Sequence, residues 1–140
     1  IEDQEPVRDM LNIAADKAAR ARVQIDLVLA HTLMEAERRL RLERFDLVIT
    51  ELTLPDSYDG DMTIARIANM GGHRIAVSTA NPDRDKIVET AVRCGCNIAP
   101  QPVFKAGLPY NRFIQRPEAM LDFMFDLMEN AGAQSSRTAA

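Results

Sequence analysis

The residues able to do chemistry are few, and three of them sit where apolar runs stop. Glu2 and Asp3 are adjacent near the start of the chain. Glu51 directly follows the run FDLVIT at 45–50, Thr79 follows IAVS at 75–78, and Gln101 stands before Pro102 just past a short NIA stretch at 97–99. These groups are carboxylates, a hydroxyl and an amide, so the chemistry they offer is that of hard oxygen ligands and hydrogen-bond partners. No His lies near them and no Gly-rich phosphate loop is present, which leaves a small α/β enzyme a poor description. His31 and His73 lack metal-ligand spacing and read as surface residues. Cys94 and Cys96 are one residue apart, too close for an easy disulfide and too few for a metal site. A reducing, cytoplasmic compartment is the default expectation.

The elements that must position these groups alternate between helix and strand. Val7, Met10, Leu11, Ala14 and Ala18 recur at helical spacing behind Pro6. Val23 to Leu29 is short and apolar and reads as a strand. Thr32 and Glu35 form a capping-box pair ahead of Leu33, Ala36 and Leu40, which starts a second helix. The 45–50 run suits a strand buried on both faces. Pro55 to Gly60 is a turn, Met62 to Met70 a short helix, and Ile75 to Ser78 another buried strand. Asn81-Pro82 predicts an N-cap with proline at the first helical position. That helix carries Ile87, Val88, Ala91 and Val92 and stops at Gly95. A weak strand at Asn97–Ala99, a long loop at Val103–Arg116 and a last helix at Pro117–Glu129 follow. Strands separated by helices imply an α/β fold with a parallel sheet covered on both faces. In such sheets, sites form beyond the carboxyl ends of the strands, so Glu51, Thr79 and Gln101 are expected at one edge.

Composition sets the outer bounds. The chain has 140 residues, 46% hydrophobic and 27% charged, which suits one globular domain. A net charge of −4 and a pI near 5.2 argue against a general grip on nucleic acid. No apolar run approaches the roughly 20 residues that span a bilayer, and no signal peptide opens the chain. The small, polar stretch at 131–140 reads as a flexible tail behind a domain at 1–130.

Taken in order, these stretches resemble the receiver domain of bacterial response regulators. IEDQEPVRDML resembles that family's acidic pair and first helix. FDLVITELTLPDSYDG resembles its strand, phospho-acceptor and turn. VSTAN resembles the strand ending in a hydroxyl residue and alanine, and APQPV resembles the Lys-Pro turn. The match covers about residues 1–103. The resemblance implies a flavodoxin-like, doubly wound parallel sheet of five strands in the order 2-1-3-4-5. It also implies an acidic residue phosphorylated by a histidine kinase, with Mg²⁺ and a lysine neutralising charge on the transferring group. Carried over by position, Glu2 and Asp3 are the acidic pair and Glu51 stands at the phospho-acceptor position. Together these three would be the Mg²⁺ ligands. Thr79 and Gln101 fall at the phosphate-binding positions.

Departures from the family pattern reshape what is expected. Glu51 replaces Asp and is longer by one methylene, against a tolerance of roughly 0.5 Å for a preorganised site. Gln101 replaces the lysine and removes the expected cation. Ile98 stands where an aromatic switch residue is usual. The connection 103–116 is roughly ten residues longer than is common, and long loops in compact domains are often functional. The acidic pair should end a central first strand, yet that strand is largely missing, so either upstream residues or another segment must fill its place. The last helix, with Met120, Met124 and Met128, is apolar beyond one buried face, and methionine-rich surfaces adapt to partners.

The expectation is therefore a signalling module of a two-component system, a pseudo-receiver that acts through protein–protein interaction and not as an enzyme. Its partner would be a histidine kinase or downstream effector. A homodimer through the fourth helix, fifth strand and fifth helix would use Met120, Met124, Met128 and Ile98. The alternative is a receiver still phosphorylated, with Mg²⁺, on an acidic residue of the pocket.

Overall fold

A computed structural model describes the backbone of residues 1–139 and the side chains of residues 1–132. The tail expected at 131–140 falls largely outside the described side chains. Where the backbone continues, it belongs to the last helix.

The architecture is α/β. In chain order the elements are α1 (Glu5–Arg20), α2 (Leu33–Leu42), β1 (Val48–Thr50), α3 (Gly60–Ala68), β2 (Ile75–Thr79), α4 (Arg84–Arg93), β3 (Val103–Phe104), a 3-10 turn (Lys105–Gly107), α5 (Tyr110–Gln115) and α6 (Glu118–Ala139). The three strands form a parallel sheet in the order β1-β2-β3. Val48 pairs with Ile75 and Thr50 with Val77, while Ser78 pairs with Val103. The weak strand expected at 97–99 is reduced to a single parallel bridge between Ile75 and Ile98.

Alternation along β2 sorts the core into two layers, because successive side chains leave opposite faces of a strand. Ile75 and Val77 point to one side, where Leu33, Leu40, Ile64, Ile67 and Val88 of α2, α3 and α4 close over them. Ala76 points to the other, against Leu127 and Phe123 of α6. A second cluster there joins Ala14 of α1, Phe113 of α5 and Met120 of α6, with the Phe113 and Phe123 rings 5.4 Å apart. All five residues of β2 are buried, as an unbroken apolar run requires.

Local signals explain most boundaries. Thr32 caps α2 by accepting from the Glu35 N–H at 3.1 Å, and the Glu35 carboxylate accepts from the His31 N–H at 2.9 Å. The Asp56 carboxylate accepts from the Leu33 and Met34 N–H groups, each at 2.9 Å, so a residue from the turn after β1 caps the same helix end. The start of α4 departs from expectation. Asn81 accepts from the Asp83 N–H at 2.8 Å and closes a turn, which delays the helix to Arg84. The expected loop at 103–116 is instead a strand, a 3-10 turn and a helix, anchored by buried Phe113.

The slot expected for a central first strand has two residues in it. The Ile1 amino group donates to the Ile49 carbonyl at 2.6 Å, Glu51 N–H donates to the Ile1 carbonyl at 3.0 Å, and Glu2 N–H donates to the Ala30 carbonyl at 2.9 Å. Ile1 and Glu2 thus lie between β1 and the 24–30 segment. That segment does not form the strand expected at Val23–Leu29, because a strand needs a partner along its length, and the bond to Glu2 is made at Ala30, beyond that range. A groove of about 390 Å³ runs on from Ile1, lined by Leu27, Leu29, Leu47, Ile49, Phe123 and Met128 among others.

Candidate functional site

At the carboxyl end of β1, the Glu51 side chain turns back onto its own loop. One oxygen, Oε1, accepts from the Leu52 N–H at 2.7 Å and the Thr53 N–H at 3.2 Å. The same oxygen accepts the Thr79 hydroxyl from the end of β2. Thr79 in turn accepts from the Asn81 N–H at 3.1 Å, which fixes the direction of its proton towards Glu51. Register between β1 and β2 therefore sets the Glu51–Thr79 pair.

The second oxygen, Oε2, meets the ammonium of Lys105. Lys105 opens the 3-10 turn directly after β3, so the third strand delivers it to the same edge. Its amine also lies 2.9 Å from Glu2 Oε2 and 3.1 Å from Glu2 Oε1. Glu2 is held by the Gln4 N–H at 2.9 Å, at the entry to α1. Glu2, Glu51, Thr79 and Lys105 are all buried. Two carboxylates against one ammonium leave the cluster one negative charge in excess.

Electrostatics follow from this packing. Burial pushes the Glu51 carboxyl up, but bonds from Lys105, Thr79 and the Thr53 N–H outweigh it and hold the group below its ordinary value. For Glu2, burial wins over the Gln4 N–H and Lys105, and the contact with Asp3 adds to the upward push. Burial works against the Lys105 ammonium, yet its bonds to Glu51 and Glu2 raise it further, so it stays charged. The Tyr110 hydroxyl, also buried, has no hydrogen-bond partner among the described residues. Burial and then the Glu2 charge push its pKa up.

The structure brings Glu51 and Thr79, expected together from their places after strands, into contact, and brings Glu2, which only the resemblance placed there, to the same lysine, whereas Gln101 does not join them. It is exposed, and none of the bonds to Glu51 comes from it. The expected loss of the cation is corrected by Lys105, four residues further on. A lysine directly after the apolar pair Val103–Phe104 is the signal that could have found it, since a strand end there places it beside the other strand ends. Asp3 is half-buried, and its carbonyl accepts from Arg8 at 2.6 Å.

The metal set Glu2, Asp3 and Glu51 is not assembled as such. Among the described residues, no group of three or more His, Cys, Asp or Glu side chains is arranged to hold a metal ion. The proposed interface also needs correction. Ile98 and Met120 are fully buried in the core, so neither presents a surface. Met124 and Met128 are half-buried, packed on the α1–α5–α6 cluster and along the groove. Among the described side chains of α6, the large apolar one that is exposed is Phe125. Comparison with protein-family models, with curated proteins and with solved structures finds no significant match to this chain. No helix among the described residues is long and apolar enough to cross a membrane.

Proposed function

We propose that this chain is a receiver-like module of a two-component system, a pseudo-receiver that signals by binding a protein partner without being phosphorylated. The observation that carries the reading is the state of Glu51. Both of its oxygens are engaged, by three donors on one and by the Lys105 ammonium on the other. A phospho-acceptor carboxylate must present a free oxygen to the incoming phosphorus, and this one is buried and locked. The hydrogen-bond order Ala30, Ile1–Glu2, β1, β2, β3 supports a flavodoxin-like arrangement of the 2-1-3-4-5 type, with acidic and hydroxyl groups at its carboxyl edge.

The test is direct. Incubation with acetyl phosphate and Mg²⁺, read by intact mass, should give no stable gain of a phosphoryl group. A gain that disappears in Glu51→Ala protein overturns the proposal. One observation favours the second reading, a receiver that is still phosphorylated. Lys105 restores a cation beside Glu51 and Thr79, which are the groups that would hold phosphoryl oxygens. The same experiment separates the two readings.

A further inference from the structure

We infer that the Lys105 ammonium is the resident cation of the Glu2–Glu51 pocket and occupies it in place of a divalent metal. The family resemblance implies Mg²⁺ at this place, and the residues present do not fit it. Glu51 Oε1 already accepts from three donors, more than its two lone pairs accommodate comfortably. Glu2 Oε1 accepts from the Gln4 N–H and from Lys105. The remaining oxygens, Glu2 Oε2 and Glu51 Oε2, both point at the same amine. A divalent ion ligated by those two oxygens would sit within a few ångströms of the ammonium. Like charges at that separation repel strongly in a buried site. Mg²⁺ also demands near-ideal octahedral geometry and keeps several waters, whereas Lys105 is only 8% exposed and Glu51 only 6%.

The ammonium suits the pocket for the complementary reason. It is compact, carries three donors and no acceptors, and arrives on a flexible stem. The extra methylene of Glu51 brings its carboxylate onto Lys105 and Thr79 together. Losing Lys105 would leave the Glu2 and Glu51 carboxylates with only the Ile1 amino group near them, and burial lowers the pKa of that group to about 6. Metal exclusion is then a property of one side chain, and its removal should unmask a divalent site made of Glu2 and Glu51.

The inference deepens the pseudo-receiver reading and shares its pocket, but its test reads metal binding and not phosphoryl transfer. Mn²⁺ alone is the probe, titrated into the intact chain and followed by its electron paramagnetic resonance signal and by thermal melting at constant ionic strength. The wild type should show no saturable binding and no shift in melting temperature. Lys105→Met should bind Mn²⁺ saturably, as the net negative charge added to its oxygen ligands implies. It should also be stabilised by the metal, and the gain should vanish in Lys105→Met/Glu51→Gln protein. Lys105→Arg, which keeps the cation, should stay metal-free. Saturable Mn²⁺ binding by the wild type that Glu51→Gln abolishes overturns the inference. A folded Lys105→Met protein that binds no metal overturns it as well. If Lys105→Met does not fold, the wild-type titration still decides. Metal binding without phosphorylation would sink this inference alone, and phosphorylation without stable metal binding would sink only the pseudo-receiver reading.

Discussion

At the scale of single residues, the decisive fact is that Lys105 serves two carboxylates at once. Removing one partner of a buried ion pair leaves a charge without compensation, which typically costs about 3–5 kcal/mol. Lys105→Met is therefore expected to lower unfolding free energy by about that amount in urea melts. Thr79→Val should cost less, about 1–3 kcal/mol, because Glu51 keeps its backbone donors and the ammonium. The pH dependence has a definite sign. Glu51 is held below its ordinary value of 4.5, so its contribution is complete above that pH and lost as pH falls through the folded value. Glu2 is raised, so ionising it costs the folded state, and that cost is relieved as pH falls. Lys105 is raised above 10.5, so its contribution is present below that pH and lost on the alkaline side. Replacing Glu51 by Gln should flatten the acid limb of a stability–pH curve, and Lys105→Met the alkaline limb. Unchanged limbs in both variants would show that the cluster contributes no linkage. Glu51 and Thr79 were legible in the sequence because each directly ends an apolar run. Lys105 is harder to read, because its one local signal is the apolar pair Val103–Phe104 ahead of it, and two residues behind Pro100 and Pro102 are a faint mark of a strand.

At the scale of elements, turn side chains do much of the positioning. Asp56 caps the start of α2 from 23 residues away and ties the turn after β1 to that helix. Asp56→Ala should cost about 1 kcal/mol, the usual worth of a cap, and hydrogen exchange should speed up first at Leu33 and Met34. Gly60 begins α3, where a Cβ would stand 2.9 Å from Ile87 Cδ1 and 3.3 Å from Leu52 Cβ. Gly60→Ala should thus force α3 and α4 apart, at about 1–3 kcal/mol as overpacking usually costs, measured by thermal or chemical unfolding. Helices α1 to α4 could be read from spacing and capping residues, since those signals are local. Asn81-Pro82 misplaced the start of α4 because an Asn side chain can close a turn as readily as cap a helix. The segments 23–29 and 103–116 depart from expectation for a related reason: whether an apolar stretch becomes strand, loop or helix depends on which partner reaches it.

At the scale of the whole molecule, the layers of helices leave a groove beside Ile1, and they bury Ile98 and Met120. Binding of a signalling partner is therefore expected through other surface. Phe125→Asp should leave stability nearly unchanged while weakening any interface on α6, as measured by sedimentation and partner titration. The sequence by itself determined the α/β class, the parallel sheet and the placing of Glu51 and Thr79 at one edge of it. Period, capping and the position of polar groups after apolar runs are properties of neighbouring residues. Only the tertiary structure decided that Lys105 and not Gln101 supplies the cation, that Glu51 is closed on both oxygens, and that of the three methionines of α6 Met120 is buried while Met124 and Met128 are half-buried. Those outcomes rest on contacts between residues up to 103 positions apart, which chain-local patterns do not encode.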